Sequence, residues 1–280
     1  MKVAFQGVKG AYSYIASKEL FGESVSAIAC DSFQAAFDAV ISEECDCAMI
    51  PIENSTAGRV ADVHLLLKSK PLYIVAEYFL PIQHCLIGLK GANIHDIKTV
   101  YSHPQALMQC EHNVYEHGFS RVSTADTGGA VTKVKKMDNM ECAAIASSYA
   151  AQEYDMEILK EGFQDLENNT TRFVVLKKTM DFQPYNENGK YITTLLFDVS
   201  NKPSALLDCL KVFADKGLNL LKLESYTDSS NFKTAHFIID VEGHTQKKPM
   251  IEALNKLKSH TNSIDVVGCY AFAKYRENMR

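Results

Sequence analysis

Eight consecutive residues, Pro51-Ile52-Glu53-Asn54-Ser55-Thr56-Ala57-Gly58, gather a carboxylate, a carboxamide, two hydroxyls and a glycine directly after the apolar run Cys47-Ala48-Met49-Ile50. That run reads as a short buried strand, and Pro51, with no N–H to donate, stops its ladder. The polar groups then stand at the strand's carboxyl end, where open α/β sheets place their ligands. Their plainer use is a turn and helix cap, with Asn54, Ser55 or Thr56 capping a helix that begins near Arg59.

Three other segments are junctions of the same kind. Gln6-Gly7-Val8-Lys9-Gly10-Ala11-Tyr12-Ser13 joins a first strand to a first helix, whose free N–H groups suit a carboxylate. It matches neither the dinucleotide nor the phosphate-loop glycine pattern, and an ordinary βα turn is the alternative. In Tyr101-Ser102-His103-Pro104-Gln105-Ala106-Leu107-Met108-Gln109, a strand ends at Ser102 and a helix starts at Pro104. Ser102, Gln105 and Gln109 can share one face there, or Ser102 caps and the glutamines are solvated. Asn168-Asn169-Thr170-Thr171-Arg172 leads into the apolar strand Phe173-Val174-Val175-Leu176. An arginine entering such a strand takes a carboxylate partner or a ligand anion, unless it forms a surface salt bridge. The four segments supply hydroxyls, amides, a guanidinium and helix N-termini, with no Ser-His-Asp series and no catalytic-cysteine context. The chemistry they suit is recognition of anions and donation of hydrogen bonds, with little need of a strong base.

The elements that must position these groups follow from periodicity. Strands at 2–6, 25–30 and 47–50 alternate with helices at 12–21 and 32–41, a βαβαβ rhythm that implies a parallel sheet with crossover helices. The rhythm continues through 72–87, a strand at 99–101, one helix over 104–117, a strand at 121–123, a helix at 127–137 and strands at 142–146 and 173–176. A polar stretch at 179–190 reads as a linker. Beyond it come a strand at 191–199, a helix at 203–216, strands at 218–226 and 232–241, a helix at 247–257 and a strand at 263–271, the ferredoxin-like βαββαβ order. At 280 residues the chain is long enough for about two domains. A net charge of −5 without a basic stripe argues against a nucleic-acid partner. No run approaches a membrane span or a signal peptide, so a cytoplasmic protein without a membrane partner is expected. The 8 cysteines are scattered and the 9 histidines lack a zinc spacing, so no metal and no cofactor are expected.

Taken together, Val3-Ala4-Phe5-Gln6-Gly7-Val8-Lys9-Gly10-Ala11-Tyr12-Ser13, Pro51-Ile52-Glu53-Asn54-Ser55, Tyr101-Ser102-His103-Pro104-Gln105 and Thr171-Arg172-Phe173-Val174-Val175-Leu176 resemble the prephenate dehydratase family in order and spacing. The resemblance covers almost the whole chain. It implies an α/β catalytic region at 1–178, built as two lobes like a type II periplasmic binding protein (1–76 with 159–178, and 77–158), with the site in the cleft between them. It implies a carbon–oxygen lyase that removes carbon dioxide and water from prephenate to give phenylpyruvate in phenylalanine biosynthesis. A stand-alone form is expected, because no chorismate mutase segment precedes Met1. Arogenate, which carries an amine where prephenate has a keto group, is the rival substrate, and a non-catalytic amino-acid sensor is the rival function. By resemblance Thr171 is essential, as a hydrogen-bond donor or one end of a proton relay at the leaving hydroxyl, and Asn54, Ser102 and Gln109 are further active-site residues. Glu53, Ser55, Thr56, Arg172 and Ser13 are assigned to substrate binding. Glu53 is also an alternative general acid, and Arg172 either binds a carboxylate or braces the two lobes.

The tail at 191–275 is similar to the ACT regulatory domain, which pairs and binds phenylalanine, so a homodimer or homotetramer is expected. The effector positions are Ser204, Ala205, Leu206, Asn219, Glu224 and Ser225. Two departures weigh against effector binding. Ser204 stands where the family has glycine, and Glu224-Ser225-Tyr226-Thr227 replaces Glu-Ser-Arg-Pro, losing a cation and a rigid turn.

Overall fold

Runs such as Val3-Ala4-Phe5 and Cys47-Ala48-Met49-Ile50 have no polar face, so they fold as strands covered on both sides, and every one of these residues is buried. The structure, a computed structural model, describes residues 1–226 and 234–277. The fold is mixed α/β. In chain order it begins β1 (Lys2–Gln6), α1 (Tyr12–Phe21), β2 (Ser26–Cys30), α2 (Phe33–Ile41), β3 (Cys47–Asn54), β4 (Gly58–Arg59), α3 (Ala61–Ser69) and β5 (Tyr73–Pro81). There follow β6 (Cys85–Gly88), β7 (Thr99–Ser102), α4 (Pro104–Gln109), α5 (Glu111–Glu116), β8 (Ser120–Ser123), α6 (Thr127–Met137), β9 (Cys142–Ala146), α7 (Ser148–Glu153), β10 (Glu157–Lys160) and β11 (Thr170–Lys177). The tail holds β12 (Tyr191–Ser200), α8 (Ala205–Asp215), β13 (Leu220–Tyr226), β14 (Thr234–Glu242), α9 (Lys248–Leu257) and β15 (Ser263–Ala271).

One compact unit comprises Met1–Val60 and Phe79–Phe173. In it β1 pairs in parallel with β2 and β3, and the strand order is β11-β3-β1-β2. A second sheet runs β10-β6-β9-β7-β8, with β7 parallel to β8 and β9, and β6 antiparallel to β9 and β10. The parallel rhythm therefore holds for β1–β3 and β7–β9 and fails at β6 and β10.

Two local differences from the sequence reading shape the site. Opposite β1, Cys47 pairs with Val3 and Ala48 with Ala4, yet extended chain continues past Pro51 to Asn54. There it turns back through β4, with Glu53 opposite Arg59 and Asn54 opposite Gly58. The octet is thus a hairpin tip, and the next helix starts at Ala61. The single helix over 104–117 is also two helices, α4 and α5, broken at Cys110. A carboxylate remote in sequence accounts for the break: Asp165 accepts from the backbone N–H groups of His112 (3.0 Å) and Asn113 (3.1 Å) in the first turn of α5, where a carboxylate is stabilised by the free N–H groups.

The loop from β1 to α1 has a packing duty. Gly10 has φ +86°, and a Cβ there would stand 2.8 Å from both Cα and Cβ of Ala150 in α7. The Ser147 hydroxyl donates to the Gly10 carbonyl at 2.8 Å. Gly10→Ala meets both backbone strain and overpacking, and is expected to lower unfolding free energy by about 1–3 kcal/mol. Denaturant midpoints at unchanged slope measure it.

The other unit comprises Ala61–Tyr78 and Val174–Arg280. Its strand order is β13-β14-β12-β15-β5, antiparallel except where β15 meets β5 in parallel at Gly268 and Ile74. Helices α8 and α9 bury Cys209, Val212, Phe213, Met250 and Leu257 against Phe197 and Ile239. Helix α3 lies on β13, and Lys68 reaches Asp198 at 2.7 Å. The sequence division assigns 61–76 to the first lobe; these contacts place α3 with the tail. Of the expected strand at 232–241 and the segment 224–227, Thr227, Phe232 and Lys233 lie outside the described residues. Among the described residues no helix is long and apolar enough to cross a membrane, and no three His, Cys, Asp or Glu side chains gather as a metal set.

Candidate active site

Three chain segments meet at the hairpin tip: the end of β3, the start of β11 and the last turn of α4. Asn54 is the hub. Its Oδ1 accepts from Thr56 N (3.0 Å), Thr56 Oγ1 (2.8 Å) and Ala57 N (2.8 Å). This is an Asx turn, the local use of asparagine at tight bends. Because two backbone N–H groups hold the oxygen, the amide can face only one way. Its Nδ2 then donates outward to Asn169 Oδ1 (2.6 Å) and Thr171 Oγ1 (2.9 Å). Asn54 thus spends both side-chain protons, and Thr171 Oγ1 receives one of them. Among the described residues no acceptor takes the Thr171 proton, so this hydroxyl keeps a donor to spare.

Gln109, at the end of α4, donates from Nε2 to Thr56 Oγ1 (2.9 Å) and more weakly to Asn54 Oδ1 (3.4 Å). Its Oε1 lies 2.8 Å from His84 Nε2. His84 sits in the short connection from β5 to β6. Its Nδ1 is 2.8 Å from the Tyr12 hydroxyl, which also lies 2.7 Å from the Gln83 carbonyl. Only 2% of His84 is exposed, and that burial lowers its pKa, with the Gln109 contact pulling the other way. Burial likewise pushes the Tyr12 phenol well up, so it keeps its proton. Beside this chain a cavity of about 260 Å³ is lined by Thr56, Gln109, Gln164, Asp165 and Asn169 on a polar side and by Met108 and Leu166 on an apolar one.

The sequence-derived residues divide. Asn54, Thr56, Gln109 and Thr171 are joined by hydrogen bonds. Ser55 serves the turn: its hydroxyl donates to Asn168 O (3.1 Å) and accepts from Thr170 N (2.9 Å). Arg172, 2% exposed, donates to Glu53 Oε1 at 2.8 Å. A guanidinium removed from water needs such a carboxylate, and the pair ties β11 to β3. Ser102 is fully buried and its hydroxyl donates to Ile145 O at 2.5 Å, fastening β7 to β9 rather than joining the Asn54 network. Ser13 is buried in α1, where its carbonyl accepts from Ser17. Sequence reasoning missed Tyr12, His84 and Asn169 as site residues. Asn169 stood inside a segment already singled out; its Oδ1 takes the Asn54 bond while its Nδ2 is buried without a partner among the described residues. No local pattern marks His84, which depends on the bend between β5 and β6.

In the other unit, Ser204 precedes α8 with φ +67°, a left-handed conformation that L-residues adopt at a cost. Ala205, the first residue of α8, is buried in the core, and Leu206 packs against the same core. Asn219 donates to Glu242 at 3.3 Å, and Glu224 lies 3.5 Å from both His64 and Lys222. Ser225 pairs with Phe237 across β13 and β14. Ser204→Gly relieves the strained φ but loosens the unfolded chain. A net gain of about 0.5–1 kcal/mol is expected, read as a raised denaturation midpoint.

Hydroxyl and amide donors thus stand beside a small cavity on a mixed α/β scaffold, the arrangement of a binding or catalytic site for a polar small molecule. The family model for prephenate dehydratase matches residues 3–181. The chain belongs to the prephenate dehydratase family. It is 36% identical over 274 residues to the bifunctional N-acyl-homoserine lactone acylase/prephenate dehydratase of Komagataeibacter europaeus, covering 98% of this chain and 97% of that protein. It is 37% identical to the chloroplastic arogenate dehydratase/prephenate dehydratase 1 of Arabidopsis thaliana, covering 96% of this chain and 72% of that protein. Among solved structures, the prephenate dehydratase of Arthrobacter aurescens in complex with L-Phe is 27% identical, with a TM-score of 0.88 over 98% of this chain and 90% of that one.

Proposed function

We propose that this protein converts prephenate to phenylpyruvate, releasing carbon dioxide and water, as a carbon–oxygen lyase of phenylalanine biosynthesis. The observation that carries the reading is the direction of the Asn54–Thr171 bond: Asn54 donates, so the Thr171 hydroxyl keeps its proton for the substrate. As the ring carboxylate leaves as carbon dioxide, its bonding electron pair enters the ring, and the ring hydroxyl departs with its own bonding pair as hydroxide, which takes a proton from solvent to become water. Aromatisation drives the step. A fixed donor at the departing oxygen stabilises the charge that develops there. In this reading Gln109 and the buried Asn169 amide supply N–H groups to carboxylate or keto oxygens, and the Glu53–Arg172 pair braces β3 against β11. Ser102 and Ser13 act through the scaffold.

The same reading takes 1–178 as the catalytic region with two lobes of the type II binding-protein kind, 179–190 as a linker and 191–275 as an ACT domain. The βαββαβ order of the tail supports the last assignment. Phenylalanine is the proposed effector there, in a dimer or tetramer paired through the tails. Calorimetric titration with phenylalanine, run beside its effect on turnover, tests it. With Ser204 in place of glycine, binding weaker than that of Ser204→Gly is expected.

Purified protein supplied with prephenate should form phenylpyruvate, read by its enolate absorbance; no product would overturn the assignment. Rates on prephenate and arogenate, measured side by side, settle the substrate. The apolar wall of Met108 and Leu166 favours one second reading, hydrolysis of an acylated small molecule, the other activity named for the Komagataeibacter relative. Release of free fatty acid from an N-acyl-homoserine lactone tests it.

A further inference from the structure

From Gln83 to Asn54 runs a chain of close polar contacts whose protons can be counted. Its five contacts are Tyr12 Oη with Gln83 O, Tyr12 Oη with His84 Nδ1, His84 Nε2 with Gln109 Oε1, Gln109 Nε2 with Thr56 Oγ1, and Thr56 Oγ1 with Asn54 Oδ1. All five span 2.7–2.9 Å, so each needs a proton. With a neutral imidazole the chain holds one fewer proton than contacts: Tyr12, His84, Gln109 and Thr56 each contribute one. In the Nε2–H tautomer the shortfall lies between Tyr12 and Gln83. In the Nδ1–H tautomer Gln109 must turn over to donate to His84. Its oxygen then faces Thr56, whose single proton has to serve both Gln109 and Asn54. Only the doubly protonated imidazolium supplies every contact.

We propose that His84 is a positioning residue for the dehydration: it sets which end of the Gln109 amide faces the site, and it gains a second proton when the anionic substrate binds. This rests on the dehydratase reading. With Nε2–H donated to Gln109 Oε1, the Gln109 amide turns its N–H groups towards Thr56 and the cavity. Reversal of that amide would put an oxygen where an anion must dock. An imidazolium one residue behind Gln109 also partly offsets the charge of a dianionic substrate. The groups that face His84 carry no opposing charge: Tyr12 from α1, Gln109 from α4 and Gln164, whose Oε1 accepts from His84 N. Burial keeps the nearby Cys85 and Cys110 thiols protonated, and Glu161 and Asp165 are the carboxylates that act on those thiols. In the free protein burial favours the neutral ring. Substrate binding must therefore draw in a proton.

The test compares His84→Gln, which can still donate to Gln109 Oε1, with His84→Met, which cannot. For the unaltered protein, KM for prephenate should rise towards about tenfold per pH unit above the pKa of His84 in the free protein, the signature of one proton taken up on binding. His84→Gln should keep a low KM but lose that pH dependence. His84→Met should raise KM at least tenfold with a smaller change in kcat. An unchanged KM profile in His84→Gln, or an unchanged KM in His84→Met, overturns the proposal. Nitrogen NMR of the imidazole does not depend on the folding of either variant. Neutral His84 should be the Nε2–H tautomer in the free protein, and should become imidazolium when Thr171→Ala holds prephenate. The Nδ1–H tautomer, or a ring that stays neutral, also overturns it. Failure of the unaltered protein to turn over prephenate would sink the dehydratase reading instead, and the tautomer in the free protein still decides the positioning role.

Discussion

Thr171→Ala is expected to lower kcat about a hundred- to a thousand-fold while KM changes little. That range is the usual cost of removing one fixed donor from a developing oxyanion. The hydroxyl is too weak an acid to surrender its proton outright, so its contribution is a hydrogen bond that strengthens as charge reaches the leaving oxygen. Such a bond is worth most in the transition state and little in the ground state, which separates kcat from KM. Thr171→Ser keeps the oxygen and its Asn54 bond but loses the methyl that restricts the rotamer, so it should recover most of the lost rate. Steady-state kinetics on prephenate decide both points. Near-normal turnover in Thr171→Ala would remove this hydroxyl from the mechanism.

Much of this arrangement can be read from residue order because its parts are local. The asparagine that opens the hairpin turn is held by the N–H groups two and three positions on, and the short apolar run 173–176, with its aromatic and two β-branched residues, reads as a strand. What could not be read depends on distant groups. The break between α4 and α5 is made by Asp165, more than fifty positions from the N–H groups it accepts, and it leaves Gln109 at a helix end rather than mid-helix. The hydroxyl of Ser102 looked available in a strand-to-helix junction, but β9 brings the Ile145 carbonyl within 2.5 Å of it. His84 lies in an apolar stretch where the only signal was a rhythm of strands. Its meaning comes from Tyr12, seventy-two positions away. The octet deceived in a different way. A polar turn before a helix and a polar turn inside a hairpin use the same residue types, and only the pairing of Glu53 with Arg59 separates them.

The direction of the Asn54–Thr171 bond can be reversed without disturbing the turn. Asn54→Asp keeps the oxygen that accepts from Thr56 N and Ala57 N, and aspartate is as suited to that turn as asparagine. The atom facing Thr171 becomes an acceptor. The Thr171 hydroxyl must then donate to the new carboxylate, and its proton is no longer available to the substrate. Asn169 Oδ1, the 2.6 Å partner of Asn54 in the unaltered protein, would oppose the same oxygen, so the Asn169 amide turns over and donates from the Nδ2 that is otherwise without a partner among the described residues. The added negative charge opposes a dianionic ligand as well. Asn54→Asp should therefore fall about a hundred-fold or more in kcat, close to Thr171→Ala, and also rise in KM. The decisive measurement is the double variant. If both changes act by withdrawing the same proton, Thr171→Ala loses little further kcat when Asn54→Asp is added. Fully multiplicative losses would mean that Asn54 contributes by a route separate from Thr171. The two residues would then be neighbours in the fold and independent in the chemistry.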